Sequence, residues 1–155
     1  MADSSGLLLA ISLAERKRDE VIRALAQSQQ NVQSAVAQWE QLRSYSGDTD
    51  NRLLNAGGAG LSVELLKHHY QFSTRLQQAI SMQDGVIANL QRQVDSVKQQ
   101  LQKAESRLSG LNSVLKKRRA EAERVAQRRE QAAMDEMAAQ LFARTRAQRT
   151  QGEIR

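Results

Sequence analysis

Apolar residues return along the first part of the chain at alternating intervals of three and four. Leu7, Ile11, Ala14, Arg18, Val21, Leu25, Ser28, Val32, Ala35, Trp39 and Leu42 are apolar at nine of eleven places. A spacing that averages 3.5 lines these positions along one face of a helix, as a seam that a second helix must cover. Asp3, Ser4 and Ser5 stand just before it. Their side-chain oxygens suit the unpaired amide protons of a first turn, so a helix is expected over about 4–44. The pattern fails from Ser44 to Gly60, where Ser46-Gly47-Asp48 and Gly57-Gly58-Ala59-Gly60 gather turn formers. A connector is expected over about 45–60, and the Leu53-Leu54 pair inside it allows the first helix to run on past a kink before the glycines stop it.

The same spacing resumes with Leu76, Ile80, Gln83, Ile87, Leu90, Val94, Val97, Leu101, Ala104, Leu108, Leu111 and Leu115, apolar at eleven of twelve places. Gly85 and Gly110 fall on the outward side of this frame, where each costs the helix ~1 kcal/mol relative to alanine and spares the seam. Past Leu115 the frame lands on Arg118, Ala122, Val125, Arg129, Ala132 and Glu136, while Met134, Met137 and Leu141 form a stripe offset by one residue. The spacing predicts a long helix over about 61–146 that changes its partner face near residue 115. At 1.5 Å per residue it would span roughly 130 Å, against roughly 57 Å for residues 7–44. The final residues, about 147–155, are expected to be disordered.

Two such helices with a glycine-rich connector predict an all-α fold: an antiparallel coiled-coil hairpin with unequal arms, forming a single domain over 1–155. With residue 44 opposite about 61, residue 7 reaches only about residue 98. The Leu101–Leu115 seam and the segment beyond it are then left without internal cover, and a partner must occupy them.

Composition narrows the alternatives. The 155 residues contain no proline and no cysteine, and 21 alanines and 20 glutamines supply more than a quarter of the chain. Nothing therefore interrupts long helices, and disulfides, thiolate metal sites and thiol nucleophiles are excluded. Aromatic residues make up 3%, too few for a thick globular core. No stretch approaches the roughly 18 apolar residues of a membrane span, and the first ten residues lack a basic start, which predicts a cytoplasmic protein. The net charge of +6 is uneven: residues 116–155 carry 11 basic and 6 acidic groups, an excess of +5.

Lys116-Lys117-Arg118-Arg119, Arg124, Arg128 and Arg129 could bind phosphates by releasing counterions. Interleaved carboxylates and the absence of any aromatic residue between Phe72 and Phe142 favour protein contact, or a solvated face, over nucleic acid. His68 and His69 are adjacent, about 100° apart around a helix, where a metal-binding pair needs i, i+4 spacing; His69 is expected at the seam edge and His68 in solvent, with no metal. The Gly57–Gly60 run lacks the Lys-Ser or Lys-Thr of a phosphate loop. Side-by-side helices offer little of the concavity that catalysis needs, so no catalytic residue, no cofactor and no enzyme activity are expected. Trp39, Tyr45, Tyr70 and Phe72 flank the connector, where they either pack the hairpin tip or anchor an interface.

This layout resembles the FliJ family of the bacterial flagellar type III export apparatus. The likeness is carried by Leu13-Ala14-Glu15, by Tyr70-Gln71-Phe72 with Leu76, Ala79 and Ile80, and by Met134-Asp135-Glu136 with Ala138, in this order over about 140 residues. The resemblance implies a non-enzymatic, stalk-like hairpin whose termini sit in the ring of the flagellar export ATPase hexamer and whose connector end contacts the cytoplasmic domain of the export gate, a membrane protein. It also implies escort of export chaperones and a place at the inner face of the cell membrane at the flagellar base. Carried over by position, the gate contact comprises Gln38, Leu42, Tyr45, Phe72, Leu76, Ala79 and Gln83. Gln83 stands where a histidine occurs in the family, and Thr49 where an aromatic residue does. The ring contact is expected at Leu13, Leu101, Leu108, Leu111, Leu115, Arg118, Arg129, Met134, Asp135 and Glu136. A free monomer is expected, with two alternatives: a homodimeric structural coiled coil in which two copies cover each other, or the equivalent stalk of a virulence injectisome.

Overall fold

The computed structural model describes residues 2–57 and 60–153. Two helices account for nearly all of them: α1 over Ala2–Ala56 and α2 over Val63–Glu153. All twenty-three seam positions named from the spacing, from Leu7 to Leu42 and from Leu76 to Leu115, are buried or half-buried. The two runs of spacing thus mark the faces that fold inward.

The helix ends differ from expectation. α1 begins at Ala2, so Asp3, Ser4 and Ser5 stand in its first turn and not before it. It also runs 12 residues beyond 44, through Ser46-Gly47-Asp48. The reason is that the seam continues there in the same frame: Ser46 is buried, and Thr49 and Leu53 are half-buried. Ser46 Oγ accepts a 3.3 Å hydrogen bond from Gln77 Nε2, and Thr49 returns its hydroxyl to the Tyr45 carbonyl at 2.8 Å. Side chains that usually favour turns are here satisfied inside a helix. Ser62 caps α2, its Oγ accepting from the Leu65 amide at 3.2 Å, with Glu64 in the first turn. Among the described connector residues Gly60, at φ +78°, is left-handed. Gly58 and Ala59 of the expected connector, and Ile154 and Arg155 of the expected tail, lie outside the described residues. The tail is otherwise helical to Glu153, with Thr145 and Thr150 hydroxyls bonded to the Leu141 and Arg146 carbonyls.

The chain divides into two compact units, one of Ser12–Leu108 and one of Met1–Ile11 with Ser109–Arg155. In the first, α1 and α2 run antiparallel. Gln83 bonds to Ala35, Gln77 to Ser46, His69 to Asp50, and the Tyr45 ring meets that of Phe72. Continuing this register places Arg18 opposite Leu101 and Ala14 opposite Ala104. Leu101 is accordingly half-buried, and Ala104 and Leu108 are buried.

In the second unit, Ile11 is buried and Leu7, Leu111 and Leu115 are half-buried, whereas every described residue from 116 to 153 is exposed. The expectation that the Leu101–Leu115 seam lacks internal cover is therefore corrected. A longer α1 shifts each of its residues opposite a later residue of α2, and the uncovered stretch begins at Lys116.

Candidate functional site

In the unit of residues 12–108, α1 presents Gln38, Gln41, Leu42 and Tyr45 at three-four spacing beside Gln83 of α2. Together they line a groove of about 510 Å³. Leu42 belongs to the seam and forms part of the apolar floor, while Tyr45 is 55% exposed. The Tyr45 ring meets Phe72 edge to face, with centroids 5.8 Å apart and planes at 81°. That geometry sets a positive ring edge against a negative ring face and fixes both rings while leaving much of each in solvent. Four of the seven residues expected at the gate contact line this groove, and Phe72 joins it through Tyr45. Leu76 and Ala79 follow on the same stretch of α2; Leu76 is buried and Ala79 half-buried, so they present less surface than the rings do.

Gln83 is more constrained than an outward contact residue. Its Nε2 donates to the Ala35 carbonyl at 2.9 Å and to Gln38 Oε1 at 3.2 Å, which leaves its own amide oxygen for other contacts. Gln41 was not anticipated as a lining residue; it lies three residues past Gln38, a spacing that the seam itself could have suggested. Nearby, Arg43 stacks its guanidinium 5.2 Å from the centroid of the Trp39 ring, and the Trp39 indole Nε1 is buried with no hydrogen-bond partner among the described residues.

A second groove in this unit, of about 380 Å³, is lined by Leu53, Ala56, Leu61, Leu65 and Phe72 among others. Assigning 45–60 to a connector concealed it, although the heptad frame extended through Ser46, Thr49 and Leu53 would have revealed it. His69 is half-buried with Nε2 3.3 Å from Asp50 Oδ1, and His68 is exposed, as their positions predict. Among the described residues, no group of three His, Asp or Glu side chains is placed to hold a metal ion.

In the other unit the notable surface is an apolar stripe on α2. Met134, Met137, Leu141 and Phe142 are 66%, 65%, 60% and 70% exposed. Offsets of three, seven and eight gather them, with Ala138, on one side of the helix. Arg144, Arg146 and Arg149 follow, and the basic residues of 116–129 precede. Asp135 accepts a 3.2 Å bond from Gln131 four residues earlier. Of the expected ring contacts, Arg118, Arg129, Met134, Asp135 and Glu136 are exposed here, and Leu13 is 56% exposed in the unit of residues 12–108. Leu101, Leu108, Leu111 and Leu115 were expected to be open and are not, because α1 reaches far enough to cover the seam that contains them.

No helix among the described residues is long and apolar enough to cross a membrane. Curated proteins and solved structures give no match to the chain. The flagellar FliJ protein family, in contrast, matches residues 7–147, which takes in both seams, the groove beside Tyr45 and the exposed stripe. The chain therefore belongs to the flagellar FliJ protein family and is a component of the bacterial flagellar protein export apparatus.

Proposed function

We propose that the protein is a non-enzymatic coupling component that binds the flagellar export ATPase hexamer through residues 116–153 and the cytoplasmic domain of the export gate through the Tyr45–Phe72 groove. The observation that carries this reading is the apolar stripe of Met134, Met137, Leu141 and Phe142, every member at least 60% exposed. An amphipathic helix face of this kind gains stability when a partner removes it from water, at ~1.5–3 kcal/mol for each fully buried large side chain. The ring-facing residues of that unit are then Arg118, Arg129, Met134, Asp135 and Glu136, and Leu13 makes its contact from the unit of residues 12–108. The leucines at 101, 108, 111 and 115 act indirectly, by holding the first helix in place.

On the gate side, the paired rings supply large, rigid apolar contact area at the rim of a shallow groove, the kind of anchor that carries binding energy in interfaces. Escort of export chaperones, peripheral placement at the inner face of the membrane and a monomeric free state belong to the same reading.

The test is addition of the protein to purified export ATPase, where hydrolysis should rise. Met134→Asp with Leu141→Asp should abolish the rise without changing the melting temperature. Stimulation that is absent with the parent protein, or equal with the double variant, removes the ring contact from the proposal. Sedimentation at micromolar concentration separates the homodimer reading: a tight dimer would mean that a second copy covers the stripe.

A further inference from the structure

We propose that Gln83 is a positioning residue that fixes the register of α1 against α2. The apolar seam alone specifies register weakly. Moving α2 by seven residues replaces Ile80 by Ile87, Ile87 by Val94, Val94 by Leu101 and Leu90 by Val97, an apolar residue for an apolar residue at each place. Hydrophobic contact is non-directional and changes little under such a slip, so a polar group that is satisfied in one alignment alone does the discriminating.

Gln83 meets that description toward one of the two possible slips. It is the single polar residue among the twelve α2 seam positions from Leu76 to Leu115, and it is half-buried. It lies opposite Ala35, whose short side chain leaves the α1 backbone open. Both amide hydrogens are used, one on the Ala35 carbonyl at 2.9 Å and one on Gln38 Oε1 at 3.2 Å. A slip of seven in one direction sets Gln83 against Leu42, whose branched apolar side chain stands over the backbone carbonyl that Ala35 leaves open, and leaves a half-buried amide unpaired. A slip the other way sets it against Ser28, whose oxygen donates to the Leu25 carbonyl at 2.9 Å and can still accept, so in that direction the register is held by the Gln77–Ser46 and His69–Asp50 contacts, which the slip breaks.

Gln83→Leu removes the polar discriminator and supplies a residue that packs well against Leu42. The slipped alignment with residue 83 opposite Leu42 should then be populated beside the present one. The chain contains no cysteine, so Gln29→Cys and Gln78→Cys, both at exposed positions, accept spin labels cleanly. Electron–electron dipolar spectroscopy on the full-length protein, free of partners, should give one distance with Gln83. With Gln83→Leu it should give a second population, roughly 10 Å longer, as seven residues of helix rise require, at an unchanged or higher melting temperature. Gln83→Glu keeps the shape and loses both donors, and should show the second population at a lower melting temperature. A second distance in either variant supports the assignment. One unchanged distance in both, with helicity retained by circular dichroism, overturns it. Because the measurement involves neither ATPase nor gate, its failure leaves the partner assignments untouched, and theirs leaves it untouched.

Discussion

Between Leu76 and Leu108 the second helix withdraws a residue from solvent every three or four positions, whereas between Lys116 and Glu153 it withdraws none. The earlier stretch is rich in glutamine and the later one in alanine and arginine, all of which form helix wherever proline and turn signals are absent. Helix formation is thus a local property that the two share. Burial is not, because it needs an apolar seam and a second helix long enough to meet it. In the later stretch the seam frame falls on Arg118, Arg129 and Glu136, where closure would strand charge, and the apolar residues move to a different face. One stretch uses its apolar face to hold the protein together, and the other keeps it available.

The largest effect should come from reversing that difference in the hairpin. Val94 is buried in the seam, so Val94→Asp places a carboxylate among the apolar side chains of the hairpin and should cost about 3–4 kcal/mol. Thermal denaturation followed by circular dichroism should show a large fall in the melting transition. The same chemical change at Met134, on the exposed stripe, should stay within about 0.5 kcal/mol of the parent protein. Equal destabilisation at both sites would mean that the stripe is covered in the free protein and that the contrast between the stretches is false.

Function should show the opposite ranking. Met134→Asp with Leu141→Asp, silent in stability, should eliminate stimulation of the export ATPase. Phe72→Ala should act more narrowly. It removes an edge-to-face contact worth ~0.5–1.5 kcal/mol and should weaken binding to the gate's cytoplasmic domain about tenfold by calorimetry, with ATPase stimulation intact. Loss of both activities in either variant would show that the two surfaces do not act separately.

How much of this was legible before the structure depends on the kind of signal. The seam was fully readable, because a repeat of 3.5 has one structural meaning for a chain with neither proline nor cysteine. The groove was readable through Tyr45 and Phe72; Gln41 is marked among twenty glutamines only by its spacing of three from Gln38. The end of α1 was misread because Ser46, Gly47 and Asp48 are turn formers by local preference, and a tertiary contact from Gln77 to Ser46 reverses that preference. That single error moved the register and made the Leu101–Leu115 seam look uncovered. Local propensity could not correct it, whereas the heptad frame through Ser46, Thr49 and Leu53 could have.

The smallest effects come from glycines, and they separate helix propensity from backbone geometry within the hairpin. A Cβ added at Gly85 meets nothing within 4 Å, and the residue is exposed on a regular helix. Gly85→Ala should therefore gain ~0.5–1 kcal/mol by reducing the freedom of the unfolded chain, a rise of about 2 °C in the melting temperature. Gly60 also has open space around it, but its φ is +78°. Gly60→Ala should lose ~1 kcal/mol, because an L-residue there brings its Cβ too close to the following carbonyl. Space is the same in the two cases and backbone conformation differs, so opposite signs isolate the connector's geometry as the cause. A gain at both positions would show that the connector reaches Ser62 through another conformation.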